Sequence, residues 1–279
     1  MTIRIVTDST CDLPQATVEK YNIEVIPAFI NIGEQSYTDS IELKREDFYA
    51  NIETYAHHPT TAAPAPGVFT AAYKKLAAEG ATAILSLHVS AELSAFFNSA
   101  RLGADAFDSI IDVHLIDSRS VSMGLGLIVL AAAQAIESGN DLGEVMAITQ
   151  RAIDNTIVYA CADTLEFLRR SGRVGFATAG LGSLLKIKPI LRVQGGTATS
   201  FDRVRTRKKV QPHLVELVQG YGELEALAVV YSRDFDRAVD LNNALADSAE
   251  TVHPIGQIGP AIGAHIGPGA LGVACIKKG

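Results

Sequence analysis

Apolar and polar positions alternate along this chain in two regimes. Up to about residue 150, short apolar runs are separated by longer stretches with helical spacing. IRIVTDST, from Ile3, reads as a buried strand running into a polar loop, with Asp12 placed to cap a following helix LPQATVEKY. IEVIPAFINI reads as a second strand in which Pro27 marks an edge or bulge. The segment from Lys44 to Ile52 has the pattern of a short helix. HHPTTAAPAPG, residues 57–67, reads as a loop because of its three prolines and a glycine. Helix VFTAAYKKLAAEG follows it. Strand ATAILSLHVS, helix AELSAFFNSARLGADAF, strand IDVHLIDSRS, helix SMGLGLIVLAAAQAIESG and helix DLGEVMAITQRAIDN complete this part. Such alternation predicts βαβ units and a mainly parallel sheet. The crevice of such a sheet lies at the carboxyl ends of its strands, which puts Asp8-Ser9-Thr10, Ser90 and Asp117-Ser118 beside it.

Beyond residue 150 the regime changes. IVYACAD, KPILRVQGG, TATSFDRVRT, LEALAVVYS and LGVACIKK are strand-like, with helices around Thr164–Arg170, Lys208–Gln219 and Phe235–Leu245. This predicts an α+β unit. The expected organisation is an α/β fold of two domains, 1–153 with a parallel sheet and 154–279 of α+β type.

Composition narrows the function classes. The 279 residues carry a net charge of −7, which disfavours nucleic acid as a partner. Hydrophobic residues make up 48% of the chain, enough for a core that also encloses a ligand. Cys11, Cys161 and Cys275 form no CxxC pair, so neither a zinc site nor a disulfide framework is expected. MTIRIVTDST lacks the apolar stretch of a signal peptide, and the longest apolar run, from Gly124, is interrupted by Gln134. The expected compartment is the cytoplasm.

Several routes to chemistry are closed. GxxxxGK[ST], HExxH and GxSxG are absent, and Gly124 and Gly126 lack the third glycine of a dinucleotide fingerprint. Hydroxyls at strand-to-helix turns remain. Ser90 and Ser94 sit where LSLHV gives way to a helix, and Thr60 and Thr61 open the proline loop. Such groups either cap helices or hold an anion. His265 lies in GPAIGAHIGPGALGV, which with five glycines and two prolines reads as a loop. The glycines predict close backbone approach to a ligand, with an imidazole able to donate to an anion or to move a proton. Arg169, Arg170 and Arg173 cluster in LEFLRRSGRVG, either as a solvated helix end or as an anion site. RVRTRKK, residues 203–209, carries five positive charges, including Arg205 and Arg207, and reads as a solvated face or a dock for an acidic partner.

The segments VTDSTCDLP, HPTTAAPAPG, VSAELSAFFNSA, DSRSVSMGLG, TLEFLRRSGRVG, LLKIKPIL, RTRKK and GPAIGAHIGPGALGV occur in this order along the chain. As a set the chain resembles the DegV family of bacterial lipid-binding proteins. That resemblance implies a two-domain fold with a fatty acid held between the domains and no other cofactor. It further implies a carrier subunit, not catalytic alone, which presents the acyl carboxylate to a separate ATP-binding fatty acid kinase subunit. Carried over residue by residue, it places Thr61, Ser94 and His265 at the carboxylate and gives His265 and Arg173 the roles nearest the chemistry. Asp8, Ser9, Ser90, Ala62 and Phe96 would line the site. Arg170, Arg205 and Arg207 would face the partner. Peripheral contact with a membrane and a monomeric state fit the same picture. The chain departs from the family pattern at Ala62, Ala63, Ala95 and Phe96, which changes donors and bulk around the site. Two other readings compete: a stand-alone phosphotransferase or acyl hydrolase built on His265, and a lipid-sensing regulatory module.

Overall fold

The computed structural model describes residues 2–172 and 187–279. The first half runs β1 (Ile3–Asp8), α1 (Gln15–Lys20), β2 (Glu24–Ile26), β3 (Phe29–Ile32), β4 (Gln35–Thr38), α2 (Arg45–Asn51), β5 (Thr60–Ala62) and α3 (Pro66–Ala78). It continues with β6 (Ala83–His88), α4 (Phe96–Asp105), β7 (Asp112–Asp117), α5 (Met123–Glu137) and α6 (Leu142–Asn155). Then come β8 (Thr156–Cys161), α7 (Glu166–Arg170), β9 (Lys188–Gln194), β10 (Thr197–Val204), α8 (Val210–Gln219) and β11 (Leu224–Tyr231). The described chain closes with α9 (Phe235–Ala244), β12 (Ala249–Val252), β13 (Gly256–Gln257), α10 (Pro260–Ile266) and β14 (Leu271–Lys277).

The first sheet is parallel throughout, in the order β2-β1-β6-β7. Chain direction across the sheet reverses between β1 and β6, so the loops after these two strands part and leave a crevice at their carboxyl ends. The second sheet has the order β10-β9-β8-β14-β11-β12, with β13 also paired to β11. It is antiparallel except where β11 meets β12 and β13. A third, small sheet, β4-β3-β5, rests beside the crevice.

Helix α5 joins the two large sheets. Its sequence, MGLGLIVLAAAQAIE, is apolar on nearly every face, as a helix buried all round must be. It touches β1 and β6 as well as β8, β11 and β14. Gly124 and Gly126 permit that contact. A Cβ at Gly124 would come within 2.5 Å of Val158, and one at Gly126 within 2.6 Å of the Cys11 carbonyl oxygen. These two glycines therefore serve packing. Helix α6 begins with a capping box in which Asp141 accepts from the Glu144 N–H and Glu144 accepts from the Asp141 N–H.

Three local expectations change. IEVIPAFINI is two strands, because Pro27 ends β2 in the parallel sheet and the chain re-enters the small sheet as β3. The segment 57–67 is not all loop: Thr60–Ala62 pairs with β3, and Pro66 occupies the first turn of α3, where its missing N–H costs nothing. Asp12 does not cap α1. Pro14 holds that position, while Asp12 is buried with φ 54° and bonds elsewhere.

Candidate functional site

Between the carboxyl ends of the parallel sheet and the inner face of the second sheet lies a cavity of about 550 Å³. Its walls come from the loops after β1, β6 and β7, the start of α4, the small sheet, and helix α10. Val158, Leu191, Val193 and Val230 supply the opposite wall from the second sheet. No Asp, Glu, Lys or Arg lies among the described lining residues. The volume falls in the range of about 300–1,000 Å³ usual for small-molecule sites.

The polar lining side chains divide into two sets. Thr10 donates to Asp8 Oδ1, Ser99 to the Pro64 carbonyl and Ser122 to Asp12 Oδ2, so these hydroxyl protons are committed to the protein. Thr61, Ser94, Asn98 and His265 make up the other set. Thr61 is held in β5 opposite Ile30. Its Oγ1 lies 2.9 Å from His265 Nε2, although 204 residues separate the two in sequence. Ser94 occupies the turn into α4, where its N–H donates to the Ser90 carbonyl and its Oγ accepts from the Phe96 N–H. The Ser94 hydroxyl proton is therefore able to point toward a ligand. With Nε2–H donating to Thr61 Oγ1, the threonine hydroxyl can donate onward to an anion, giving a chain of donors aimed at one oxygen.

His265 lies in the last turn of α10, not in a loop. The glycines around it face protein rather than ligand. A Cβ at Gly263 would lie 2.5 Å from the Tyr49 hydroxyl and 2.7 Å from Phe48. Gly267, with φ +80°, ends the helix, and a Cβ there would meet the Phe167 ring at 2.5 Å. The helix is thus pressed onto α2 and α7, and His265 is aimed from a fixed support.

Ala62 and Phe96 line the cavity. Phe96 is buried, stacked on His88 and edge-on to Phe69, so its bulk is locked in place. Asp8, Ser9 and Ser90 do not line it. Asp8 stands behind the wall, accepting from the Val89 N–H at 3.0 Å and the Thr10 N–H at 3.1 Å and facing His88 Nδ1 at 3.0 Å. Ser9 donates to Asp39 at 2.6 Å and accepts from the Ala28 N–H. Ser90 donates to the Gly196 carbonyl at 2.6 Å, tying the β9–β10 turn to the crevice. In each case a backbone group inside the fold needs the hydroxyl or carboxylate more than a ligand does. Arg173 lies outside the described residues. Arg170 pairs with Glu166 one helical turn away. Arg207 pairs with Asp234 at 3.0 Å, and Arg205 is exposed.

One cluster beside the cavity escaped the sequence reading: Asp12, Asp39 and Arg45. Asp12 Oδ1 accepts from the Gly259 N–H at 2.8 Å, and Asp39 holds Ser9 and Ser40. Arg45 reaches the Gln257 carbonyl at 2.6 Å and lies 3.8 Å from Asp12. Burial pushes both carboxyls up from 3.8 to about 6, against the pull of Arg45 and of their hydrogen-bond donors. Only Asp12 stood out in the sequence, as a helix cap. Asp39 and Arg45 carried no signal, because their partners lie across the fold.

A sequence profile described as "Uncharacterised protein, DegV family" matches residues 2–278. The chain belongs to the DegV family. A DegV domain-containing protein of Streptomyces coelicolor is 34% identical over 99% of both chains. One from Deinococcus radiodurans is 36% identical over 98% of both. Among solved structures, a DegV family protein from Thermus thermophilus, described for its fatty acid binding, superposes with a TM-score of 0.91 at 32% identity, covering 100% of each chain. DegV from Bacillus subtilis, described as a fatty acid binding protein, superposes with a TM-score of 0.88 at 31% identity over 99% of this chain and 100% of that one. These DegV structures share the fold found here. Among the described residues, no helix is long and apolar enough to cross a membrane.

Proposed function

We propose that this DegV family protein binds a long-chain fatty acid with its tail in the 550 Å³ cavity and its carboxylate against Thr61, Ser94 and His265. The observation that carries this reading is the division of the lining. Among the described residues the walls are apolar and without charged side chains, and Thr61 stands within hydrogen-bond distance of His265 at the cavity surface. An alkyl chain gains about 0.8 kcal/mol for each methylene removed from water, which the walls supply. A carboxylate taken into such a space needs donors, which Ser94 and Thr61, the latter backed by His265, supply. The relatives of Thermus thermophilus and Bacillus subtilis, both above 30% identity, support the ligand class.

The finer reading is a carrier that offers the carboxylate to a separate ATP-binding kinase subunit, which forms the acyl phosphate. The absence of a phosphate-binding GxxxxGK[ST] loop from the sequence supports it. In this reading Arg173 acts near the carboxylate, and Arg170, Arg205 and Arg207 face the partner. The protein works as a cytoplasmic monomer divided at residues 153/154, a division favoured by the end of α6 at Asn155 and the start of the second sheet at Thr156.

Native mass spectrometry of the purified protein, followed by extraction and identification of what dissociates, tests the ligand. One free fatty acid per chain is expected. A protein that arrives empty and takes up no added palmitate or oleate overturns the reading. Incubation with palmitate and ATP, with and without a kinase subunit, tests the finer step. Acyl phosphate is expected only when both proteins are present, and turnover by this chain alone would make it an enzyme in its own right.

A further inference from the structure

Helix α10 has an unusual anchor. Its first residues come from the second half of the chain, but the groups that hold them come from the first. Asp12, in the loop after β1, accepts from the Gly259 N–H at 2.8 Å and from Ser122 Oγ at 2.5 Å. Asp39, just past β4, takes the Ala261 N–H and Ser9 Oγ. Gly259 lies between the two: a Cβ there would stand 3.2 Å from Asp12 Oδ1 and 3.7 Å from Asp39 Oδ1. Arg45 of α2 closes the cluster from the third side, donating to the Gln257 carbonyl and to Ser40 Oγ. Tyr49, on the same helix, packs on Gly263, and Arg233 donates to the Tyr49 carbonyl. Six residues beyond Gly259, the same helix presents His265 to Thr61.

We propose that Asp12 and Asp39 are positioning residues for His265: by gripping the start of α10 they set the placement of its imidazole against Thr61 and so the strength of carboxylate capture. The proposal rests on the reading of His265 as a carboxylate-binding residue. Stability alone does not account for two acids here. Serine or asparagine caps a helix without a buried charge. Two carboxyls that burial pushes up from 3.8 to about 6 carry a desolvation cost that a neutral cap avoids. The groups that face them are Arg45 and Tyr49 from α2, Cys11 from the turn after β1, and each other. What the acids add over a neutral cap is the 2.8 Å bond that Asp12 takes from the Gly259 N–H and the interaction of Asp39 with the Ala261 backbone. They fix the helix, and with it the ring one and a half turns on, more tightly than a neutral cap would.

The test uses the full chain labelled with carbon-13 in its histidine rings. The His265 signal is assigned by its loss in His265→Gln. Asp12→Asn, Asp39→Asn and Gly259→Ala are compared with the parent for that signal, its midpoint with pH, melting temperature and palmitate Kd. The asparagine variants are expected to melt at or above the parent temperature, to move the His265 signal and midpoint, and to bind palmitate about tenfold more weakly. Gly259→Ala leaves both acids in place but crowds them, and is expected to move the same signal. Combining Asp39→Asn with His265→Gln is expected to cost no more affinity than His265→Gln alone, because both act through one group. An unmoved His265 signal in all three variants overturns the proposal, as does fully additive loss in the double variant. If the parent binds no palmitate, the fatty-acid reading falls, and the His265 signal still decides whether the acids position the ring.

Discussion

The two faces of the second sheet are made from the same strands and do opposite work. The outer face carries Ile157, Tyr159, Leu227, Val229, Leu271 and Val273, which pack with Leu214, Val218 and Leu241 of α8 and α9 into a closed layer. The inner face, one residue out of step, carries Val158, Ala160, Ala226, Ala228, Val230 and Ala274. The side chains facing inward are smaller. Where α5 presses against them, alanine and glycine admit the helix; where no helix reaches, the same smallness leaves the cavity. An emptied space inside a fold is normally filled or collapsed. Here two sheets held apart by α5 keep it open, which the chain can support because the outer layer and the parallel-sheet core carry the packing.

This contrast is testable by moving bulk across the sheet. Leu227→Ala, on the closed face, is expected to lower the free energy of unfolding by about 2–5 kcal/mol, while the folded fraction still binds palmitate. Denaturant titration followed by binding below the transition measures both. Ala160→Phe, on the open face, is expected to do the reverse, with a small change in melting temperature and at least a hundredfold loss of palmitate affinity by calorimetry, about 3 kcal/mol. A large destabilisation by Ala160→Phe would mean that the cavity is not the available space described here. Thr61→Val keeps the shape of the wall and removes a donor. It is expected to weaken palmitate by about 1–3 kcal/mol and hexadecanol by less, since only the acid brings a charge.

The smallest effect separates the two sides by pH. Cys161 and Cys275 on the outer face are pushed up to about 12 by burial and stay neutral across the working range. Asp12 and Asp39, beside the cavity, are raised from 3.8 to about 6. A carboxyl raised on folding makes the native state the better proton binder. Its stabilising contribution is full below pH 3.8 and is lost as pH rises through about 6. Between those values the parent protein is expected to lose more stability on raising the pH than the Asp12→Asn, Asp39→Asn double variant. Urea unfolding at several pH values compares the slopes, and equal slopes would place the acids at ordinary values.

Much of this was legible in the sequence. Alternation of period two in IVYACAD, LEALAVVYS and LGVACIKK carried the strands, and the size difference between Tyr159 and Ala160 already carried the two faces. Thr61, Ser94 and His265, which the family resemblance assigns to the carboxylate, all line the cavity. The misreadings share one cause. Asp8, Ser9 and Ser90 had the residue types and the loop positions of ligand-binding groups, but their nearest unsatisfied partners are backbone and side-chain groups of distant segments: Val89, Asp39 and Gly196. Asp12 was read as a local cap because local capping is the interaction that spacing can express.

The sequence by itself determined the longer strands and helices, their apolar runs, and which side chains are available for chemistry, because these follow from periodicity and residue type within a few neighbours. Tertiary structure decided which polar groups face the cavity and which are consumed inside the wall. It also decided that the glycines about His265 accommodate Phe48, Tyr49 and Phe167 rather than a ligand. Those outcomes depend on what lies within about 3 Å in space. Thr61 and His265, 204 residues apart, show that this is not a property of neighbouring positions in the chain.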